Sequence, residues 1–389
     1  MSIASGDAVA LARALVRVDS RNPLLVPGAP GERAVAELLA GVLDGWGLRV
    51  EMHEALPGRP NVVARVGRPG GRSLMFNGHL DVVGVEGMTH APWDAAEWGD
   101  RIYGRGSSDM KSGVAAMCAA AARVADEIEG EVIVAAVADE EYESAGTRSL
   151  IERGVRADAA IVTEPTGLAI MPAHLGFVWI DVTTHGRAAH GSRWDLGVDA
   201  IRHAGLVLAE LDRFDADELP KRRHGLLGRP SVHASMISGG SGMSTYPDKC
   251  VIQIERRTIP GENPELVRQE IESMCERAGH RRENFRAETR VTFAQEPSDV
   301  ATDAPIVTAL QGALRDSNEE VRIQGMTAWT DAALLNAAGI PAICFGPGDI
   351  GLAHAAEEYV MVDEIERATR VLERLALQWC RNPVPAWRS

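Results

Sequence analysis

Adjacent glutamates, Glu140 and Glu141, follow Asp139 at the end of the apolar run 132–138. Three successive carboxylates leaving a buried-type strand repel one another, and burial raises the free energy of their charged forms. A divalent cation offsets both costs. The arrangement recurs along the chain. Apolar run 74–76 precedes His79 and Asp81, run 159–162 precedes Glu164, and run 342–345 precedes His354. Each run delivers a metal-type ligand beyond its carboxyl end, where open α/β sheets build their sites. The pattern predicts a metal-dependent enzyme.

Each motif carries a sharper and a blander reading. In NGHLDVV (77–83), an imidazole suits zinc and a carboxylate two residues on can hold its other nitrogen. His79 is thus a ligand candidate and Asp81 its orienter, or the pair is a capped strand end. In GRGSSDMKSG (104–113), Asp109 is either a helix cap or a carboxylate bridging two ions. A phosphate-binding loop is excluded because Met110 precedes Lys111. A dinucleotide fingerprint is excluded because Asp109 stands where its third glycine belongs. In ADEEYESAGT (138–147), one glutamate can bind metal while the other faces substrate as a base, its pKa raised by semi-burial. The alternative is an acidic turn favoured by a helix dipole. Glu164 in IVTEPTG (161–167) and His354 in GLAHAAEEYV (351–360) complete the ligand candidates.

Positioning these groups requires a framework. The 389 residues suggest two domains, and 45% hydrophobic and 24% charged residues are ordinary for a globular chain. Helix and strand alternate up to residue 174, predicting a mostly parallel sheet with helices on both faces, hence an α/β catalytic domain. From 175 to 295 the order becomes β-α-β-β-α-β, a ferredoxin-like α+β insertion. The first domain resumes over 296–389, with a helix after Asp331, a strand before Gly346 and a closing helix. A net charge of −15 without a basic stripe argues against nucleic acid. No apolar stretch approaches a membrane span, and the N-terminal residues are not expected to form a signal peptide. The five scattered cysteines read as reduced, so the chain is expected to be cytoplasmic.

In this order the motifs resemble the co-catalytic zinc amidohydrolases and exopeptidases, a family including acetylornithine deacetylase, succinyl-diaminopimelate desuccinylase, aminoacylase and carboxypeptidase G. The resemblance spans nearly the whole chain. It implies two divalent ions, zinc by expectation with cobalt or manganese suiting the same ligands. His79, Asp109 and Glu164 would hold one, and Asp109, Glu141 and His354 the other. Glu140 becomes the general base, Asp81 supports His79, and the peptide bond after Asp109 is expected to be cis. The insertion resembles a lid that also forms a homodimer. THGRAAHGS (184–192) makes His190 the oxyanion donor, and ERRTIPGE (255–262) makes Arg257 the grip on a substrate carboxylate. The glycine-rich GGSGMSTYPD turn (239–248) carries Ser244 and Thr245 where the family commonly has Asn, and Trp194 replaces a frequent proline. These departures lie on the substrate side. The implied substrate is a small N-acyl amino acid, with a carboxypeptidase G-like or dipeptidase-like exopeptidase as the alternative. A non-catalytic metal-binding homologue is the remote third reading.

Overall fold

The computed structural model describes residues 3–381. Residues 1–2 and 382–389, the outer ends of the first and last expected segments, lie outside the described residues. The chain divides into two compact units, one of Met1–Pro172, Val300–Gln324 and Thr330–Ser389, the other of Ala173–Asp299 with Gly325–Trp329.

The first unit is built on a mixed sheet. Its strands run in the order Arg49–Leu56, Arg59–Gly67, Glu131–Val137, Ser73–His79, Ala159–Val162 and Ala342–Cys344. The first two pairings are antiparallel and the next three parallel. The parallel strands are buried at every position, which is why they are built around apolar runs rather than alternating ones. Parallel pairing sends all of them out at one end. The register sets His79 beside Val137, Asn77 beside Val162, and Val162 beside Cys344. The chain after each strand therefore emerges at nearly the same level.

Helix Ser112–Val124 is buried on nearly all sides and packs against helices Ala8–Val16 and Val362–Arg381. Its small residues permit close approach. A Cβ on Gly113 would lie 1.9 Å from the Thr163 carbonyl oxygen, so only glycine lets this helix start press against the strand exit that carries Glu164. The closing helix buries Ile365, Ala368, Leu372, Leu375, Ala376 and Trp379 at the three- and four-residue spacing of an amphipathic face.

The second unit is a four-stranded antiparallel sheet in the order Ser231–Gly239, Lys249–Thr258, Gly176–His185, Arg286–Gln295. Helices Ala200–Asp217 and Pro264–Gly279 cover the face formed by Val178, Ile180, Val182, Ile252 and Ile254. Alternation along Gly176–His185 matches this one-sided burial. The α/β fold with an α+β insertion agrees with expectation. Several pieces were not anticipated: helix Pro305–Asp316, strand Ile170–His174, and a small sheet of Ala96–Trp98, Arg101–Tyr103 and Tyr359–Met361. No helix among the described residues is long and apolar enough to cross a membrane.

Candidate active site

Two imidazoles and four carboxylates meet where the parallel strands end. His79 closes its strand. Its Nδ1 lies 2.9 Å from the main-chain oxygen of Asp81, which takes the Nδ1 proton and leaves Nε2 as the ligand-type nitrogen. Nε2 faces Asp109 Oδ1 at 3.1 Å, with Glu140 Oε2 and Glu164 Oε1 each at 4.0 Å. The other oxygen of Asp109 lies 3.4 Å from His354 Nε2, which is 3.0 Å from Glu141 Oε2. Asp109 thus stands between the two imidazoles, one oxygen toward each.

Asp109 is not a helix cap. The helix begins at Ser112, and Asp109 sits in an irregular turn, Ser107–Lys111, with extended backbone angles and a cis peptide bond to Met110. His354 is the most exposed member, with a φ of 60°. The acidic turn is irregular too, with Asp139 and Ser144 at φ of 68° and 58°.

Two expectations need correction. First, Asp139 does not join its neighbours. It turns inward to Arg59 at 2.9 Å and accepts from Asn22 Nδ2 at 3.0 Å, while Arg59 also pairs with buried Glu32 at 2.6 Å. Arginine, not metal, compensates the first of the three acids. Second, the Asp81 carboxylate does not orient His79 directly, its Oδ1 lying 3.7 Å from Nδ1. It instead accepts the backbone N–H groups of Glu140 and Glu141, both at 3.1 Å, and Asn22 Nδ2 at 2.9 Å. Asp81 fixes the imidazole through its main chain and the acidic turn through its side chain.

The electrostatics call for cations. Burial, then the charge of Glu164, pushes the Glu140 carboxyl well above the usual range, and burial followed by Asp109 does the same to Glu164. Burial also raises Glu141. Asp109 goes the other way: burial would raise it, but hydrogen bonds from His354 and His79 hold it below the carboxylate range. Against its own burial, His354 is lifted to about 10 by Asp109 and Glu141, and His79 is likewise raised. Oε1 of Glu141 and Oε1 of Glu164 are buried without a hydrogen-bond partner. Two overlapping groups, His79 with Asp109 and Glu141 and His79 with Glu140 and Glu164, bring donor atoms close enough together to hold a metal ion, and this donor set suits a divalent cation.

In the second unit, the glycine-rich turn meets the His190 turn. Gly191 N donates to Ser244 O at 2.7 Å, Tyr246 N to Ala189 O at 2.8 Å, and His190 bridges Thr245. His190 is exposed, and its Nδ1 lies 3.3 Å from Ser192 N and 2.8 Å from Ser192 Oγ. Arg257 pairs with Glu255 on its own strand at 2.9 Å and stacks over Phe177 at 5.2 Å. Trp194 is exposed.

Sequence reasoning missed several residues around the ligands. Asn22, Glu32 and Arg59 secure the acidic turn as above. Asp331 is buried and accepts from Thr147 Oγ1 at 2.6 Å, and burial lifts it to about 6. Glu358 accepts the backbone N–H groups of Ser108 and Asp109. Only their charged or amide character marked them in the sequence, and their partners are remote along the chain.

The parallel sheet and this cluster at its strand exits define a metal-dependent hydrolase. The sequence matches Peptidase family M20/M25/M40 over residues 75–378, and the chain belongs to that family. It is 33% identical over 334 residues to an acetylornithine deacetylase of Myxococcus xanthus, covering 82% of this chain and 84% of the relative. It is 28% identical over 389 residues to an N-formyl-4-amino-5-aminomethyl-2-methylpyrimidine deformylase of Bacillus subtilis, covering 91% of each. Among solved structures it resembles the Bacillus subtilis YXEP protein, described as a dinuclear metal binding peptidase from the M20 family. The TM-score is 0.73 at 17% identity, covering 96% of this chain and 97% of that one. The chain is accordingly a metal-dependent enzyme acting on linear amide C–N bonds.

Proposed function

We propose that the protein removes the acyl group of a small N-acyl amino acid, as a deacylase using two divalent ions. The observation that carries this reading is Asp109, whose two oxygens face His79 and His354 separately. His79, Asp109 and Glu164 would hold one ion, and Asp109, Glu141 and His354 the other. Zinc is the leading candidate, with cobalt or manganese suited to the same donors. When bound, the ions lower the pKa of water and polarise the scissile carbonyl. Glu140 takes a proton from the attacking water and hands it to the departing amine. Its near-burial among acids keeps that carboxyl nearer neutrality, where a group can serve as base and then acid.

The unit Ala173–Asp299 acts as lid and as the homodimer interface. His190 donates from Nε2 to the developing oxyanion, a role supported by the backbone N–H that its Nδ1 accepts. Arg257 grips a substrate carboxylate, which must compete with Glu255 for the guanidinium. Ser244 and Thr245 contact the acyl or side-chain portion. The five free, buried cysteines support a cytoplasmic setting.

Glu140→Gln tests the core of the reading. It should lower kcat by about 10²–10⁴-fold with metal content unchanged. Ordinary turnover in a folded, metal-loaded variant would remove Glu140 from the base role. A panel of N-acetyl, N-succinyl and N-formyl amino acids against dipeptides tests the substrate. Preference for dipeptides would favour the exopeptidase alternative.

A further inference from the structure

Glu358 is completely buried, yet it is an acid in the segment that supplies His354. Its Oε1 accepts from Ser108 N at 3.0 Å and Asp109 N at 3.1 Å, and its Oε2 pairs with buried Arg105 at 2.6 Å. Arg105 in turn donates to the Gly84 carbonyl at 2.9 Å. The two segments are joined at further points. Gly104 N donates to Glu358 O at 3.2 Å, and Ser108 Oγ and the Asp349 main chain exchange two bonds, each at 3.1 Å. Just beyond Glu358, strand Tyr359–Met361 pairs with Arg101–Tyr103. The strand register therefore sets Glu358 against the turn that carries Asp109.

This differs from how the other ligands are held. His79 and Glu164 sit at or just past neighbouring parallel strands, fixed by the sheet ladder. Asp109 and His354 sit on irregular turns, and those turns are bolted to each other through Glu358. Because the Glu358 carboxylate takes the Asp109 backbone N–H, both side-chain oxygens of Asp109 stay free to face the imidazoles. Resting on the di-metal reading above, we infer that Glu358 is a positioning residue for the ion held by Asp109, Glu141 and His354.

Its removal weakens that ion selectively, because the companion ion keeps two ligands on the sheet. The test is Glu358→Gln, whose amide has one acceptor oxygen where three donors now converge. Zinc is titrated against a chromophoric chelator, folding is checked by circular dichroism, and His354→Ala identifies which binding step belongs to the His354 ion. The wild type should bind two ions. The variant should hold the first within about threefold and lose about 10–100-fold at the second. If the single variant does not fold, Glu358→Gln with Arg105→Met removes both charges of the buried pair, and the same split is expected. Unchanged affinities accompanied only by a lower Tm, or equal weakening of both steps, would overturn the assignment while leaving two ions in the wild type. Fewer than two ions in the wild type would instead sink the di-metal reading and this role with it.

Discussion

Replacing Asp81 with asparagine separates two ways in which this residue could serve the site. The carboxylate now satisfies three donors: Glu140 N at Oδ1, and Glu141 N with Asn22 Nδ2 at Oδ2. An amide of the same shape offers one oxygen. Asn22 cannot readily flip to compensate, since its own Oδ1 accepts from Leu24 N at 3.0 Å and its Nδ2 also serves Asp139. The least costly orientation keeps the oxygen at the Oδ2 position and sets the new NH₂ against Glu140 N–H. One charge-assisted bond is lost, worth about 1.5–3 kcal/mol, and one buried N–H is left unpaired, costing about 1–3 kcal/mol more. Removing a negative charge near Glu32 and Asp139 returns part of this, so the net destabilisation should be about 2–4 kcal/mol. The disturbance centres on Glu140. A displacement of ~1 Å at a reacting group can cost about 10²-fold, so kcat should fall by about 10²–10³-fold with KM within about threefold. Metal content should persist, because the oxygen that holds His79 Nδ1 belongs to the main chain. The assay is steady-state kinetics with Tm and metal content on the same preparation. Loss of metal with full turnover per remaining site would show that the carboxylate serves His79, and the reasoning would fail.

Two further outcomes follow from the titrating groups. Without a cation, His354 stays protonated up to about 10 and His79 is held charged by Asp109, whereas ligation requires neutral imidazoles. Metal uptake near pH 7.5 should therefore release protons and strengthen as pH rises. Calorimetry in buffers of different ionisation enthalpy reads this directly, and zero net release would contradict it. In the second unit, burial pushes His174 down to about 4, with Nδ1 held 3.0 Å from Leu175 O. Below about 6.5 the unfolded chain takes a proton that the folded one refuses, so stability falls as pH drops from about 6.5 to about 4, by roughly 3 kcal/mol. His174→Asn keeps a donor near the Nδ1 position and should flatten that acid slope in urea unfolding. An identical slope in both proteins would exclude His174 as its source.

The strand-exit pattern was legible because parallel, doubly buried strands leave unbroken apolar runs, and a functional side chain just past such a run has one place to go. His79, Glu140, Glu141 and Glu164 could be marked on that ground, and alternation along Gly176–His185 marked the inserted sheet. What lay beyond local pattern was the choice of partners. Nothing in the acidic triplet distinguishes Asp139 from its neighbours, and only folding brings up Arg59 and Asn22 to turn it away from the site. Asp109 looks like a helix cap until the helix is seen to begin three residues later. Glu358, four residues after His354, carries no mark in the sequence, because the short sheet that buries it against the Asp109 turn is too brief to leave a periodic signal. Sequence records which side chains can ligate, because ligation depends on residue type. Which oxygens remain free depends on hydrogen bonds closed over hundreds of residues, and those exist only once the chain is packed.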